Sequence, residues 1–562
     1  AMSSSAQKKS WNKLATKTAK KATKVMQDLR LEITKGELSL KSTQKLVKYL
    51  EDMKGVLDQS PYEEDEISPD EVGIAFIGLL DVFIDYMLRA DNDNTTSQVY
   101  NMIERLVTFS GYQPYNYDTF PPDHPSSSFT TLFTSFHSAL LRCALLLISS
   151  IASSRALEGI KESKEKPRVK KLTTFQFVMT APPLEEEQYP AVGSLLAAVA
   201  LRVPSIMRDI LESITTKPIV VNKNLYFITS WDDFNTYCVS ANKNCQRFQS
   251  GITGVDNRWT FHFSARLPFA FHFYMSFTDH LTAMLGTASD KVEQVTGYSV
   301  ILSHISHISH GRASKLSCPD LFYRTEAKLC VTNFPDTFNA IMNDKFKRCN
   351  TYSIEALART LASLQYISTE LEAKNLLVDT LDINRILNLF ESVIQSDSYY
   401  AMCVMLSCIY DLHTRLFADD RKALTEFILD HFNTFFIHWY FQVRNFFYHL
   451  ILMRLTIAPA FRLDGTLLPE EEEIYDRQAD LEYERSVSRT VEERVSLLEE
   501  AQKGTRQLPD EDMGLSVYLE AAMGSYNKVH MVYDLWKRQN TLECPVAHLD
   551  LSLVSNIGND LI

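Results

Sequence analysis

The sequence predicts a mainly α-helical protein, either an armadillo- or HEAT-like α-solenoid or another multi-helical array, with a small irregular or β insertion. Glycine and proline are scarce, at 17 and 19 of 562 residues, which is typical of helical proteins with few tight turns. Apolar residues recur every three or four positions in many segments. In residues 353–455 such segments follow one another with short polar breaks, as in helical repeats.

Composition limits the class of protein further. The 57 basic and 70 acidic residues give a net charge of −13, and 45% of residues are hydrophobic. These values exclude a disordered or collagen-like chain and argue against nucleic acid as a partner. The nine cysteines are spread singly without CxxC, so we expect reduced thiols and a cytoplasmic location. We expect neither a secretory signal nor a transmembrane span, because charged residues interrupt every long apolar stretch.

Residues 1–60 are predicted to form a basic helical hairpin that caps the array. Large or apolar residues follow helical spacing from Trp11 onward, and lysines fill the positions between them. This face could contact an anionic membrane surface or an acidic partner, or its lysines could simply be solvated. The sequence favours the solvated cap, since Thr18 and Ala22 lie where a membrane anchor would carry bulky side chains.

Two regions follow the hairpin. Residues 69–215 are predicted to be helical with exposed loops, one of which contains the basic cluster around Lys170 and Lys171. Residues 216–280 are predicted to be an irregular or β-containing insertion. They contain β-branched and aromatic runs and the alternation Phe269, Phe271, Phe273, and periodicity alone does not separate a strand from a loop here.

The rest of the chain divides into two predicted segments. Residues 281–458 form the helical-repeat core, with polar breaks at Ser396-Asp397 and Asp419-Asp420. Residues 459–562 form a charged helical C-terminal arm. Its first part alternates in charge, which is typical of one long solvated helix or of a partly ordered arm. Its final aromatic elements are expected to dock back on the body.

Motif searches favour a non-catalytic protein. His304, His307 and His310 are three residues apart, which places them at about 0, 300 and 240 degrees around a helix, too wide for one tetrahedral ion. We therefore predict a polar helix face or helix end and no metal site. No phosphate-binding loop, GxGxxG, GxSxG or kinase motif is present. We predict no catalytic residue, no cofactor and no enzymatic activity.

One stretch has an unusual pattern. In residues 431–454, His438, Trp439 and Arg444 interrupt an otherwise apolar pair of helices. The order of residue types is His-Trp, then Val-Arg, then two aromatics and Leu-x-x-Arg. This pattern resembles a family of uncharacterised fungal and amoebal proteins grouped as a domain of unknown function, over residues 353–455. The resemblance implies no activity. We expect Arg444 and Arg454 to be buried or half-buried and to need carboxylate or carbonyl partners.

The predicted function is a non-catalytic cytosolic scaffold or adaptor that binds proteins through a helical-repeat surface, in GTPase signalling, trafficking or cytoskeletal regulation. An alternative is an exchange or activating factor of a small GTPase, and a weaker one is a metal- or small-ligand-binding enzyme. Expected partners are other proteins, such as a small GTPase or a larger complex, with peripheral membrane contact through the basic N-terminus. The candidate protein-binding residues are Lys13, Lys17, Lys20, Lys21, Lys24, Lys170, Lys171, His438, Trp439 and Arg444.

Overall fold

The structure is a computed structural model that describes residues 4–35, 40–61, 70–87, 95–109, 127–157, 183–215, 257–310, 318–457 and 477–539, with short gaps inside the last three ranges. These residues are mainly helical and contain no β-strand, which confirms the mainly α multi-helical array. Two compact units are present, Ala1–His304 with Leu316–Thr325 and Ile305–Lys315 with Glu326–Ile562. The solenoid type and the division into five segments stay predictions.

The first unit contains nine of the helices that the structure describes. They are α1 (Ser4–Lys35), α2 (Leu40–Asp58), α3 (Asp70–Met87), α4 (Thr96–Val107), α5 (Ser127–Ala152), α6 (Tyr189–Arg202), α7 (Pro204–Ile214), the one-turn α8 (Phe261–Ser264) and α9 (Pro268–Leu285). Helices α10 (Tyr298–His310) and α11 (Pro319–Thr332) contain residues of both units.

Trp11 joins the first helices of the chain. Its indole Nε1 donates a hydrogen bond of 2.9 Å to the carbonyl oxygen of Val56 in α2, and its ring packs on Phe76 and Phe109. Further along α1 the small residues Ala15 and Ala19 are fully buried, which allows α2 and α3 to approach closely. The apolar face of α1 is therefore used inside the protein.

Helices α6 and α9 pack closely against each other in the first unit. Gly193 of α6 faces the backbone of α9, where a β-carbon at this position would lie 3.1 Å from the Phe273 nitrogen and 3.2 Å from the His272 carbonyl carbon. Contacts this short are tighter than most β-carbon contacts, so a side chain here would push the two backbones apart by a few tenths of an ångström. Glycine at position 193 therefore sets the separation of the two helices.

The prediction of an irregular or β-containing insertion is wrong for the described part of residues 216–280. Residues 257–264 form a short 3-10 turn and α8, and the alternating phenylalanines lie in α9. Phe269, Phe271 and Phe273 are all buried, so α9 is covered on most of its circumference and lacks an amphipathic pattern. That is why its sequence resembled a strand. Residues 216–256 lie outside the described part of the chain.

The second unit continues with helices joined mostly by short turns. They are α12 (Asp336–Arg348), α13 (Ile354–Ala373), α14 (Ile383–Gln395), α15 (Tyr399–Leu412), α16 (Ala418–Asp430), α17 (Phe432–Phe436) and α18 (Phe441–Leu450), followed by a π-helical segment (Ile451–Ile457), α19 (Arg477–Gln502) and α20 (Leu519–Gln539). Helix α15 is the centre of this unit, because every residue from Ala401 to Leu412 is buried.

Side-chain caps explain where three of these helices begin. The side chains of Ser353, Asp382 and Ser398 accept hydrogen bonds from backbone N–H groups in the first turns of α13, α14 and α15. The predicted break at Ser396-Asp397 is a turn in the structure. Asp397 has a φ of 50°, a left-handed conformation that aspartate tolerates better than most residues.

The charged arm contains a buried stripe in addition to its solvated face. Val487, Val491, Val495 and Leu498 of α19 are at most 7% exposed, and this helix packs on the π-helical segment and α20. In α20, the Tyr526 ring packs on Phe436 and Tyr448. The predicted docking of the aromatic C-terminal part is present, in one continuous helix.

Among the described helices, none alone has the length and apolar composition needed to cross a bilayer. The pair Glu186–Arg202 and Ile206–Ile214, bent by 108°, meets both criteria when its two helices are taken together.

Candidate functional site

A short turn before α18 exposes aromatic rings at the surface of a densely packed unit. We call residues 438–441 the aromatic turn. Trp439 is 45% exposed and Phe441 is 60% exposed, whereas Phe435, Phe436 and Phe447 beside the turn are buried. Exposing rings of this size to water costs free energy, so other contacts must hold the turn in this conformation.

Arg444 holds the backbone of the aromatic turn. Its Nη1 donates hydrogen bonds to the carbonyl oxygens of His438 at 2.5 Å and Trp439 at 3.1 Å. The residue is only 6% exposed, and the two carbonyls replace part of the water that its charge loses on burial. The expectation that this arginine is buried against carbonyl partners is confirmed.

His438 closes the turn from the other side. It is 4% exposed, and its Nδ1 accepts a hydrogen bond of 3.0 Å from the Tyr440 N–H. Because Nδ1 is an acceptor here, the ring proton is on Nε2. Burial lowers the pKa of His438, so the neutral ring that this hydrogen bond needs is the form present near neutral pH.

Tyr399 of α15 supports the exposed rings. Its ring centroid lies 5.9 Å from that of Trp439 and 4.2 Å from that of Tyr440. The Tyr440 hydroxyl donates a 2.9 Å hydrogen bond to Oε1 of Gln442. The turn is therefore fixed by hydrogen bonds along its backbone and by ring packing behind it.

This geometry is suited to contacting another protein. Trp, Tyr and Phe are enriched in the cores of protein interfaces, and a Trp or Tyr that is already held in place loses little entropy on binding. Within the turn the imidazole of His438 is buried, and the Tyr440 hydroxyl is engaged with Gln442. The arrangement therefore has the features of a surface that contacts another protein.

A polar network lies deeper in the same unit. Arg454 is fully buried, donates from Nε to the Tyr410 carbonyl oxygen at 3.0 Å, and has its guanidinium 4.1 Å from the Tyr410 ring centroid. Arg415 forms a buried ion pair with Glu372. These contacts link α13, α15 and the segment after α18, and since Arg454 and Arg415 are at most 1% exposed, we interpret them as structural.

One chemically interesting cluster was not predicted from the sequence. Ser194, His280 and Glu104 meet in the first unit, with the Ser194 hydroxyl donating to Oε1 of Glu104 at 2.9 Å and lying 3.2 Å from Nε2 of His280. The same Nε2 lies 3.3 Å from Oε1 of Glu104. One nitrogen cannot donate to the carboxylate and also accept the serine proton, so this is not the relay of a nucleophilic triad.

The remaining predicted residues lie elsewhere. Lys13, Lys17, Lys20, Lys21 and Lys24 are on the exposed face of α1, in the other unit from the aromatic turn. Lys170 and Lys171 lie outside the described residues. Of the three histidines, His304 packs on the Tyr274 ring, and within the described part of the chain no group of three or more His, Cys, Asp or Glu side chains could hold a metal ion.

Taken together, these observations define a multi-helical protein whose second unit exposes an aromatic turn that is held by hydrogen bonds and ring packing. Residues 338–455 match a family described as "Protein of unknown function (DUF1765)". A domain of this uncharacterised family is therefore present, as the pattern around Arg444 indicated, and the matched residues include the whole aromatic turn and Arg454. No curated protein and no solved structure matches the chain.

Proposed function

We propose that this protein is a non-catalytic adaptor and that the aromatic turn is one of its contact sites for another protein. The observation that supports the proposal is the pairing of an exposed Trp439 with a buried Arg444 that fixes its backbone. A ring that only filled space would not need a buried charge behind it. An exposed aromatic anchor held in one conformation is a common feature of binding hot spots.

The chemistry of the turn also supports a protein partner over a small ligand. Small-molecule sites are concave and enclose most of their ligand, whereas Trp439 and Phe441 project from the surface with 45% and 60% of their area exposed. A projecting pair of rings suits a complementary hollow on a partner. GTPase signalling, trafficking and cytoskeletal control, like the regulation of a small GTPase, stay predictions from the architecture.

We extend the proposal to a cytoplasmic location. In the described part of the chain Cys143, Cys330, Cys403 and Cys408 are buried free cysteines. Burial raises the pKa of the Cys403 thiol to about 12, which keeps it protonated and unreactive. Free thiols buried in a core are in keeping with a reducing compartment.

Affinity purification of the full chain from native cells, followed by mass spectrometry, tests the adaptor proposal. The test variant is Trp439→Ala with Phe441→Ala. The control is Met531→Ala with Leu535→Ala, since these α20 residues are similarly exposed, at 58% and 45%. We expect a defined partner set that the control retains and the turn variant loses.

The same experiment can overturn the proposal. If the turn variant and the wild type recover the same partners, the aromatic turn is not a contact site. If no partner is recovered reproducibly with any form of the protein, the adaptor function itself is wrong.

A further inference from the structure

The exposed face of α1 carries a straight row of lysines that the aromatic turn and its proposed function do not involve. We call Lys9, Lys13, Lys17, Lys20 and Lys24 the lysine stripe. All are exposed, and at 100° per residue they fall within roughly 80° around the helix axis. With a rise of 1.5 Å per residue the stripe is ~22 Å long. Lys21, also exposed, lies beside it.

The charge of the stripe is not offset along α1. The helix contains no Asp or Glu before Asp28, although the whole chain has a net charge of −13. Among the described residues, no ion pair involves a lysine of the stripe. The stripe is therefore a local concentration of positive charge on an acidic protein, and its ammonium groups are available to an external anion.

The opposite face of α1 determines how that anion can be bound. Trp11, Ala15, Ala19, Ala22 and Met26 are at most 6% exposed because they pack inside the first unit. An amphipathic helix that inserts into a bilayer needs its apolar face for the lipid. In α1 that face is already occupied, so contact with a membrane would be made by the lysines alone.

The composition of the stripe bears on whether its partner is a protein or a flat anionic surface. Protein interfaces are depleted in lysine and enriched in Tyr, Trp and Arg, and lysine lacks the planar, bidentate geometry with which arginine recognises a particular carboxylate. Among the described side chains of α1, Leu14 is the one large apolar residue that is exposed. Such a row attracts anions without selecting a particular geometry of the anionic group. Because the row is straight and lies on a convex helix, all of its lysines can contact one flat surface.

We propose that the lysine stripe docks the protein on an anionic phospholipid surface, by headgroup contact without insertion. Clusters of four to eight basic residues are sufficient to bind acidic lipids, and each lysine near the surface contributes about a fivefold gain in binding at moderate salt. Because the attraction is electrostatic, it weakens as salt shortens the screening length.

Vesicle co-sedimentation with the full chain tests this inference. The probes are phosphatidylcholine vesicles with and without phosphatidylserine. The test variant replaces Lys13, Lys17, Lys20 and Lys24 by Gln, which has a helix propensity close to that of lysine. The control replaces the exposed Lys347, Lys374, Lys503 and Lys528 by Gln and changes the net charge equally.

We expect the wild type and the control to bind phosphatidylserine vesicles in low salt and to dissociate when salt is added. The stripe variant should bind more than about a hundredfold more weakly. Equal binding by the two variants would overturn the proposal, as would binding to pure phosphatidylcholine. Binding of the wild type to polyglutamate but not to vesicles would also overturn it and would show an acidic protein as the partner.

Discussion

The buried guanidinium of Arg444 donates a 3.1 Å hydrogen bond to the carbonyl oxygen of Trp439, whose own ring is 45% exposed. The arginine contacts the backbone of Trp439 and not its ring. It can therefore hold the turn in place while the ring stays exposed. A rigid turn loses less entropy when a partner binds than a mobile one. This relationship makes the arginine a positioning residue for the proposed contact site.

Arg444→Lys should separate this positioning role from charge alone. Lysine keeps the charge, but its side chain is shorter and lacks the guanidinium, so its ammonium does not reach the position from which Nη1 of Arg444 donates to the His438 and Trp439 carbonyls. We expect the free energy of unfolding to fall by about 1–3 kcal/mol, the cost of buried polar groups left without a partner. Partner recovery should fall as well. Urea denaturation and affinity purification measure the two effects.

Arg485→Lys, on the exposed side of α19, is the matched control and should change neither quantity. If Arg444→Lys retained both stability and partners, the turn would not depend on the guanidinium, and its role as a positioning residue would have to be abandoned.

Removing one partner of the buried Lys345–Glu326 ion pair should destabilise the protein. Nζ of Lys345 lies 2.5 Å from Oε1 of Glu326, with side chains that are 2% and 1% exposed. Lys345→Met leaves a carboxylate buried without its cation, so we expect a loss of about 3–5 kcal/mol in the free energy of unfolding. Combining it with Glu326→Met should recover most of that loss, because both charges are then removed.

Urea denaturation of the wild type, both single variants and the double variant gives the complete cycle. Additive losses in the double variant would show that the two side chains do not interact in the folded protein.

Two glycines should respond in opposite directions to the same substitution. At Gly193 a methyl group would press on the backbone of Phe273 at 3.1 Å, so Gly193→Ala should lower the free energy of unfolding by about 1–3 kcal/mol. At Gly78, inside α3, nothing lies within 4 Å of the new carbon. Gly78→Ala should therefore raise it by about 0.5–1 kcal/mol through helix propensity.

Thermal unfolding with circular dichroism measures both glycine variants. The close approach of α6 and α9 would be disproved if Gly193→Ala melted at the same temperature as the wild type or above it.

His262 should make the protein less stable in mild acid. Burial lowers its pKa to about 4, while an imidazole in the unfolded chain titrates near 6.5. The unfolded chain therefore binds the proton first, and stability falls as the pH drops from about 6.5 towards 4. At a pH of about 5 this residue should account for a loss of roughly 2 kcal/mol.

His262→Phe should remove that part of the pH dependence, because the new ring can pack on Tyr189 and Phe269 as the imidazole does. Urea denaturation between neutral pH and about pH 5 measures it. The half-exposed His530→Gln is the control and should leave the slope unchanged. If His262→Phe left it unchanged too, the imidazole would not be the titrating group.

Several elements could be recognised from the sequence because their causes are local. The breaks that precede α15 and the apolar stripe of α19 follow from capping residues and from spacings of three and four. The need of Arg444 and Arg454 for polar partners follows from the cost of burying a charge in an apolar helix pair. The strand-like alternation in α9 misled the prediction, since burial over most of its circumference weakens the periodicity that marks a helix.

Only part of the candidate site could be predicted from the sequence. His438, Trp439 and Arg444 stood out as polar and aromatic interruptions, but no local pattern shows that Trp439 is exposed while Phe435 and Phe436, a few residues earlier, are buried. The support from Tyr399 arises in a different helix, 40 positions away in the sequence.

Helix periodicity and charge spacing are properties of neighbouring residues, so the helical class, the place of several helices and the row of lysines on α1 follow from the order of the amino acids. Which side of each helix meets water depends on the tertiary fold. It covered the apolar face of α1, left its lysines exposed and brought Ser194 to Glu104 and His280. Burial depends on contacts between residues far apart in the chain, which no local pattern encodes.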